Sequence, residues 1–374
     1  MKRKMIYAVL LAMTVLALTG CKKKDEQAVQ PETQMQTQMQ TEALPVAETE
    51  TQESEPTHEG EVRSFYTGEW IDEKLAWKRP VAVMTENTHV TLPQYGVSNA
   101  DVIYECPVEG GITRMMAIYQ DFESLEKVGN VRSCRLYYVY FAKEFDAVYF
   151  HAGESKYALD VLNSSFIDNV DGITGKGGGY YYRDNSRKAP HNLYTTGKNL
   201  AAAIKNYGYT SSLPEDYTPH YQFTTEDVPN MLENGEDAAV VKMYYVDAKP
   251  WFLYNEKDGL YYRYEFGDKQ VDGATGKQLA VKNIILQNCA SSLKDSKNGT
   301  LDINYQSGGT GKYITNGKAI DITWSRASAS AKTQYFDENG KEIILNPGKT
   351  WVEIVENSRA SQNVIYHTAE EFQK

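Results

Sequence analysis

In the first half of this chain, arginine, histidine and carboxylate side chains recur at the ends of apolar segments. A loop there can present a polar group above a rigid scaffold. The runs are Asp101-Val-Ile-Tyr-Glu105, Glu109-Gly-Gly-Ile-Thr-Arg114, Val131-Arg-Ser-Cys-Arg135, Phe150-His-Ala-Gly153 and Arg183-Asp-Asn-Ser-Arg-Lys-Ala-Pro-His-Asn192. Arg114, Arg132, Arg135, Arg183 and Arg187 can together grip a carboxylate or phosphate bidentately, with Asp101, Ser186 and Asn192 as polar neighbours. The same arginines can instead make structural ion pairs with Asp101, Glu105, Glu109 and Asp184. His151 is expected at the carboxyl end of a buried strand, a favoured ligand position in α/β structures. His191 follows the basic Arg187-Lys188 and the rigid Ala189-Pro190. Either histidine is a candidate general base.

Other chemistries fit less well. Glu105 and Glu109 form a candidate carboxylate pair for glycoside cleavage, but Pro107 between them spoils simple strand geometry. His89, His151, His191 and His220 lack metal-ligand spacing, so no metal and no cofactor is expected. Ser133, Ser155 and Ser186 have no nucleophile-elbow context. Gly175-Lys-Gly-Gly-Gly179 and Gly308-Gly-Thr-Gly-Lys312 lack the Gly-Lys-Ser/Thr ending of a phosphate loop and read as flexible loops. The 28 tyrosines fit half-buried strand positions with a polar tip.

The elements that must position these groups fall into two textures. From Arg79 to about Tyr209, short buried strands (81–84, 101–104, 113–119, 147–150) alternate with helical patterns at 136–145, 155–162 and 198–207, the last capped by Thr195 or Thr196. From Val241 onward, tyrosine-rich strands are punctuated by Asp258-Gly259, Asn316-Gly317 and Asn339-Gly340 turns. The expected fold is α+β: layered sheets with helices, a mixed α/β first subdomain (62–225), an antiparallel β-rich second subdomain (240–357) and a polar tail (358–374).

Several of these segments resemble the YerB-like lipoproteins, a bacterial family of unknown biochemical function. The resemblance is carried by Arg79-Pro-Val-Ala-Val-Met84, Ala100-Asp-Val-Ile-Tyr-Glu105, Val108-Glu-Gly-Gly-Ile-Thr-Arg114, Val131-Arg-Ser133, His151-Ala-Gly153 and Ser186-Arg-Lys-Ala-Pro-His-Asn-Leu-Tyr194. It continues in Thr323-Trp-Ser325 and Leu345-Asn-Pro-Gly-Lys-Thr-Trp351, and so covers nearly all of residues 79–355. It implies layered sheets and helices on an extracytoplasmic lipoprotein, and names no substrate or catalytic residue. The family carries small residues where this chain has Cys106 and Cys134.

The N-terminus reads as an address. Lys2, Arg3 and Lys4 precede an apolar stretch too short to span a bilayer, ending in Leu18-Thr19-Gly20-Cys21. This matches a signal peptide (1–20) with a lipobox whose cysteine takes diacylglycerol and palmitate. Lys22 to Lys24 suit anionic headgroups, and residues 25–61 read as a disordered acidic tether. The net charge of −11 then divides: the signal and the lysine triplet add three positive charges each and the tether ten negative, leaving −7 for the body. No basic domain exists to neutralise nucleic acid. With Cys21 lipidated, Cys106, Cys134 and Cys289 are expected as buried thiols. Two functions remain: a membrane-anchored protein binding an anionic or glycan ligand or an envelope partner through a polar cleft, or a cell-envelope hydrolase with a histidine base.

Overall fold

The structure, a computed structural model, describes residues 58–373. The signal, Cys21 and all but the end of the tether lie outside them. The described residues are built on one eleven-stranded mixed sheet. From the first half come β1 (Val81–Asn87), β2 (Val102–Pro107), β3 (Thr113–Tyr119), β4 (Val148–His151) and β5 (Asn169–Asp171). Between β3 and β4 lies α1 (Leu136–Lys143), and after β5 lies α2 (Gly197–Tyr207). In the second half, β6 (Val240–Lys242), β7 (Trp251–Asn255) and β8 (Leu260–Glu265) belong to a separate six-stranded sheet. The chain then returns to the large sheet with β9 (Asn283–Cys289), extends a ribbon of β10 (Ser291–Asp295) and β11 (Thr300–Ile303), and adds β12 (Gly309–Thr315), β13 (Lys318–Ser325) and β14 (Thr350–Glu356). Where the sequence reading has a polar tail, β15 (Val364–Tyr366) pairs with β6.

The large sheet runs β13-β12-β9-β14-β2-β3-β1-β4-β5 through its middle. Strand β14 lies parallel to both β9 and β2, so strands from the two textures are neighbours in one ladder. Strands β9, β14, β2, β1, β4 and β5 all run the same way, because β3 is antiparallel to both β1 and β2. Their carboxyl ends therefore share one edge.

Alternation sends residues to opposite faces. Ala82, Met84, Tyr104, Met116 and Ile118 pack under α1 with Tyr138, Phe141 and Phe145. Val81, Val83, Ile103, Met115 and Ala117 face the other way, with Leu200 of α2 and Phe252 and Tyr261 of the second sheet. This is the α+β layering expected. Many tyrosines are more deeply placed than a half-buried strand position: Tyr66, Tyr104, Tyr119, Tyr138, Tyr149, Tyr194, Tyr261 and Tyr313 are wholly buried. Cys106, Cys134 and Cys289 are free and buried, and burial pushes the Cys134 and Cys289 thiols up to about 12.

Local readings meet the structure unevenly. Thr196 caps α2 by accepting from the Asn199 amide. The helix expected over 155–162 shrinks to Leu159–Leu162. The Ser155 amide donates to the Cys134 carbonyl (3.1 Å), holding the start of the segment against the neighbouring loop. Gly177–Tyr180 is a single 3-10 turn, and Gly309 to Lys312 lies within β12.

Candidate functional site

Three loops meet at the carboxyl edge. Residues 128–134 pass beside β1: the Arg132 amide donates to Met84, the Glu86 amide to Asn130 and the Cys134 amide to Gly153. They thread Arg132 and Ser133 between the start of β3 and the loop after β4. Arg135 then leads into α1, which is tied to the end of β2 by hydrogen bonds from Tyr137 to the Pro107 carbonyl (2.6 Å) and from Tyr138 to the Cys106 carbonyl (3.2 Å).

Arg114 is the central cation. It is 5% exposed, donates from one terminal nitrogen to the Ser133 carbonyl (2.7 Å), and among the described residues its Nε has no hydrogen-bond partner. Among the described residues no carboxylate lies within ion-pair distance of it. Burial, then the positive charges of Arg135 and Arg132, pull its pKa down to about 10, which still leaves it charged at neutral pH. Beside it, Arg135 holds Glu109 through Nε (2.7 and 2.8 Å) and a terminal nitrogen (2.6 Å). Burial opposes ionisation of Glu109, but Arg135 outweighs it and holds the carboxyl below its ordinary value. These residues floor an open cleft of about 560 Å³, walled by Ser133, Glu154–Tyr157 and, from the second half, Asp295, Asn298 and Thr300.

On β1, Glu86 is directly opposite Arg114. Its buried carboxylate meets Arg132 at 3.3 Å and His191 Nδ1 at 2.9 Å. His191 is half-buried, and among the described residues only its Nδ1 is hydrogen-bonded. The loop carrying it is held by its own polar groups. Arg183 donates to Asn192 (2.7 Å). Arg187 donates to Asn130 (3.1 Å) and to the Pro93 (2.9 Å) and Thr91 carbonyls. The Ser186 amide donates to Asp184 (2.8 Å), which also pairs with Lys127.

Other sequence candidates lie elsewhere. Glu105 and Glu109 do not form a pair. Alternation along β2 turns Glu105 to the face opposite Cys106 and Arg114, where it accepts from Asn87 (3.0 Å) and Thr113 (2.6 Å) and meets Arg263. Asp101 precedes the start of β2, accepts from the Gln120 amide (2.7 Å), and is pushed up to about 6 by burial. His151 does end a buried strand, but its Nδ1 is 3.0 Å from the Gly153 carbonyl and its Nε2 3.2 Å from Asn169 Oδ1. The amide of that Asn169 donates to Leu162, so its oxygen faces the ring. His151, Glu154 and Asp171 bring ligand atoms within 4.8 Å of one another. Asp171, however, spends its oxygens on the Gly153, Ile173 and Thr174 amides. With both ring nitrogens also facing oxygen acceptors, this group fixes a loop and does not fit a cation. Glu86, Lys156 and Asp295 escaped the sequence reading: a buried acid on a strand was a usable signal for Glu86, whereas nothing local marks Asp295.

Models of a family described as protein of unknown function (DUF3048) match residues 66–210 with the N-terminal domain and residues 240–352 with the C-terminal domain. The chain belongs to this family. YerB of Bacillus subtilis (strain 168), a protein whose name proposes a lipoprotein, is 31% identical over 304 residues, covering 77% of this chain and 85% of that one. The crystal structure of the YerB protein from Bacillus subtilis superposes with a TM-score of 0.69, covering 79% of this chain and 96% of that one. The arginine cleft is thus built on a fold shared with YerB, and no activity comes with the likeness.

Proposed function

We propose that this DUF3048 protein is a membrane-tethered accessory protein of the bacterial envelope that binds an anionic or glycan ligand, or an envelope partner, in the Arg114 cleft. The tether reading rests on the lipobox ending at Cys21 and on the name of the YerB relative. Blocking lipoprotein signal peptidase should leave an uncleaved precursor.

One observation carries the binding reading. A guanidinium that is almost wholly buried, charged, and without a carboxylate at ion-pair distance is costly to keep. An anion entering the cleft would relieve that cost, and Ser133, Ser155, Asn298 and Thr300 are there for hydroxyl groups beside it. The test is calorimetric titration of the full-length chain with glucose 1-phosphate and with glucuronate. Arg114→Met should lose at least about tenfold in affinity, near 1.4 kcal/mol. Equal binding by the variant would remove the reading.

The hydrolase reading rests on the Glu86–His191 pair. A buried carboxylate on Nδ1 and an unbonded Nε2 are the arrangement of an oriented general base. It predicts turnover of cell-wall material that His191→Ala abolishes while ligand binding persists.

A further inference from the structure

The ribbon β10–β11 stands apart from the rest of the fold. Among the described residues its strands pair only with each other, with a register shift between Leu293 and Asp295. At its base it is anchored: Ile303 is buried, Ser291 Oγ donates to Glu356 (2.9 Å), and the Asn304 amide donates to Ala290 (2.8 Å). Towards its tip it has open space on two sides. Asp295, Asn298 and Thr300 line the Arg114 cleft. Leu293, Gly299 and Leu301 line a second opening of about 380 Å³ against Gly110, Gly111 and Val246.

Among the described residues, the hydrogen bonds that tie this tip across the cleft go to one carboxylate, beside a looser approach of Lys294 Nζ to the Tyr157 ring (5.6 Å). Asp295 Oδ2 is 3.1 Å from Lys156 Nζ and 3.4 Å from the Tyr157 hydroxyl. Lys156 is 64% exposed, so water screens the pair and it holds weakly. The chain's own carboxylate therefore occupies a cation at the wall of a cleft whose floor is an unpaired arginine.

We propose that the β10–β11 ribbon is a gate on the Arg114 cleft, latched by Asp295 on Lys156, and that an anionic ligand opens it by taking Asp295's place. The inference rests on the anion-binding reading. Lys156 is the exchangeable contact: it pairs with Asp295 in the closed state and with the ligand's phosphate or carboxylate in the open one. Arg114, fixed in the floor by the Ser133 carbonyl, is the ligand's second contact in the open state. The adjoining opening beside Leu293 and Leu301 receives the displaced ribbon, and local opening of so weakly tied an element has a low free-energy cost.

Asp295→Asn and Lys156→Met separate the parts. In the full-length chain without ligand, both should raise amide exchange of residues 292–301 by about fivefold or more and leave β2 and β14 unchanged. Asp295→Asn should bind glucose 1-phosphate about three- to tenfold more tightly, because the competing carboxylate is gone. Lys156→Met opens the same latch but removes a ligand contact, so it should gain no affinity. Unchanged ribbon exchange in both variants overturns the gate, even where Arg114→Met abolishes binding. Wild-type binding that Arg114→Met leaves intact removes the anion site, and no binding by any form overturns gate and site together.

Discussion

Arg114 holds a charge where burial makes it costly to the fold. Its charge sits buried beside two other arginines that oppose it, with a single carbonyl as its acceptor. A residue selected for stability alone would have a carboxylate beside it or would be apolar. Arg114→Met is therefore expected to leave the unfolding free energy unchanged or to raise it by about 1–2 kcal/mol, measured by urea denaturation of the unliganded chain. A loss of more than about 1 kcal/mol would make Arg114 a structural residue. Arg183 and Arg187 differ: Arg183 is exposed to water and donates to Asn192, and Arg187 spends its terminal nitrogens on Asn130 and two backbone carbonyls. Residue types alone do not make this distinction: all five arginines sit in equivalent polar runs, and only the paths of neighbouring loops decide which one is left unpaired.

At the scale of elements, the legible features were those with local causes. The cap at Thr196, the turn at Asp258-Gly259 and the apolar runs of β1, β2 and β3 follow from capping, positive-φ glycine and alternation. The end of β4 at His151 was legible too, but not that its ring would be consumed in fixing the next loop. Strand β12 illustrates what pairing adds. The glycine-rich 308–312 run suits a loop locally, yet Gly311 lies between β9 and β13, where a Cβ would stand 2.1 Å from the Leu286 carbonyl oxygen. The glycine is required by close approach of two central strands rather than by a ligand. Gly311→Ala should cost about 3 kcal/mol, read as a lowered urea midpoint with an unchanged slope. A neutral outcome would mean that this ladder is loosely packed.

Across the whole molecule, a buried ionic group joins the two textures of the chain. Arg263 of β8 reaches Glu353 of β14 (2.9 Å) and Glu105 of β2, and Tyr245 donates to Glu353 (2.7 Å). Nearby, Glu265 is buried, and among the described residues neither oxygen has a hydrogen-bond partner. Burial pushes its carboxyl up from 4.5 to about 7, against the pull of Arg263 and with the push of Glu105. Unfolded Glu265 ionises near 4.5, so through that window the folded state binds more protons. Its contribution to stability is full below about pH 4.5 and is lost as pH rises to about 7, at up to about 1.4 kcal/mol per pH unit. Glu265→Gln should flatten that part of the profile and be more stable than the wild type at pH 8, measured as urea midpoints at pH 5 and pH 8. Identical profiles would show that Glu265 is solvated in solution. The sequence by itself determined the layered α+β character, the family likeness and the crowding of polar groups at strand ends, because these depend on composition, short-range periodicity and motif. Only the tertiary structure decided that Glu105 turns away to Arg263, that Glu86 joins Arg132 and His191, and that Asp295 reaches Lys156 from 139 residues along the chain. Strand pairing sets which face a side chain takes and which distant loop arrives beside it, and that information is not local.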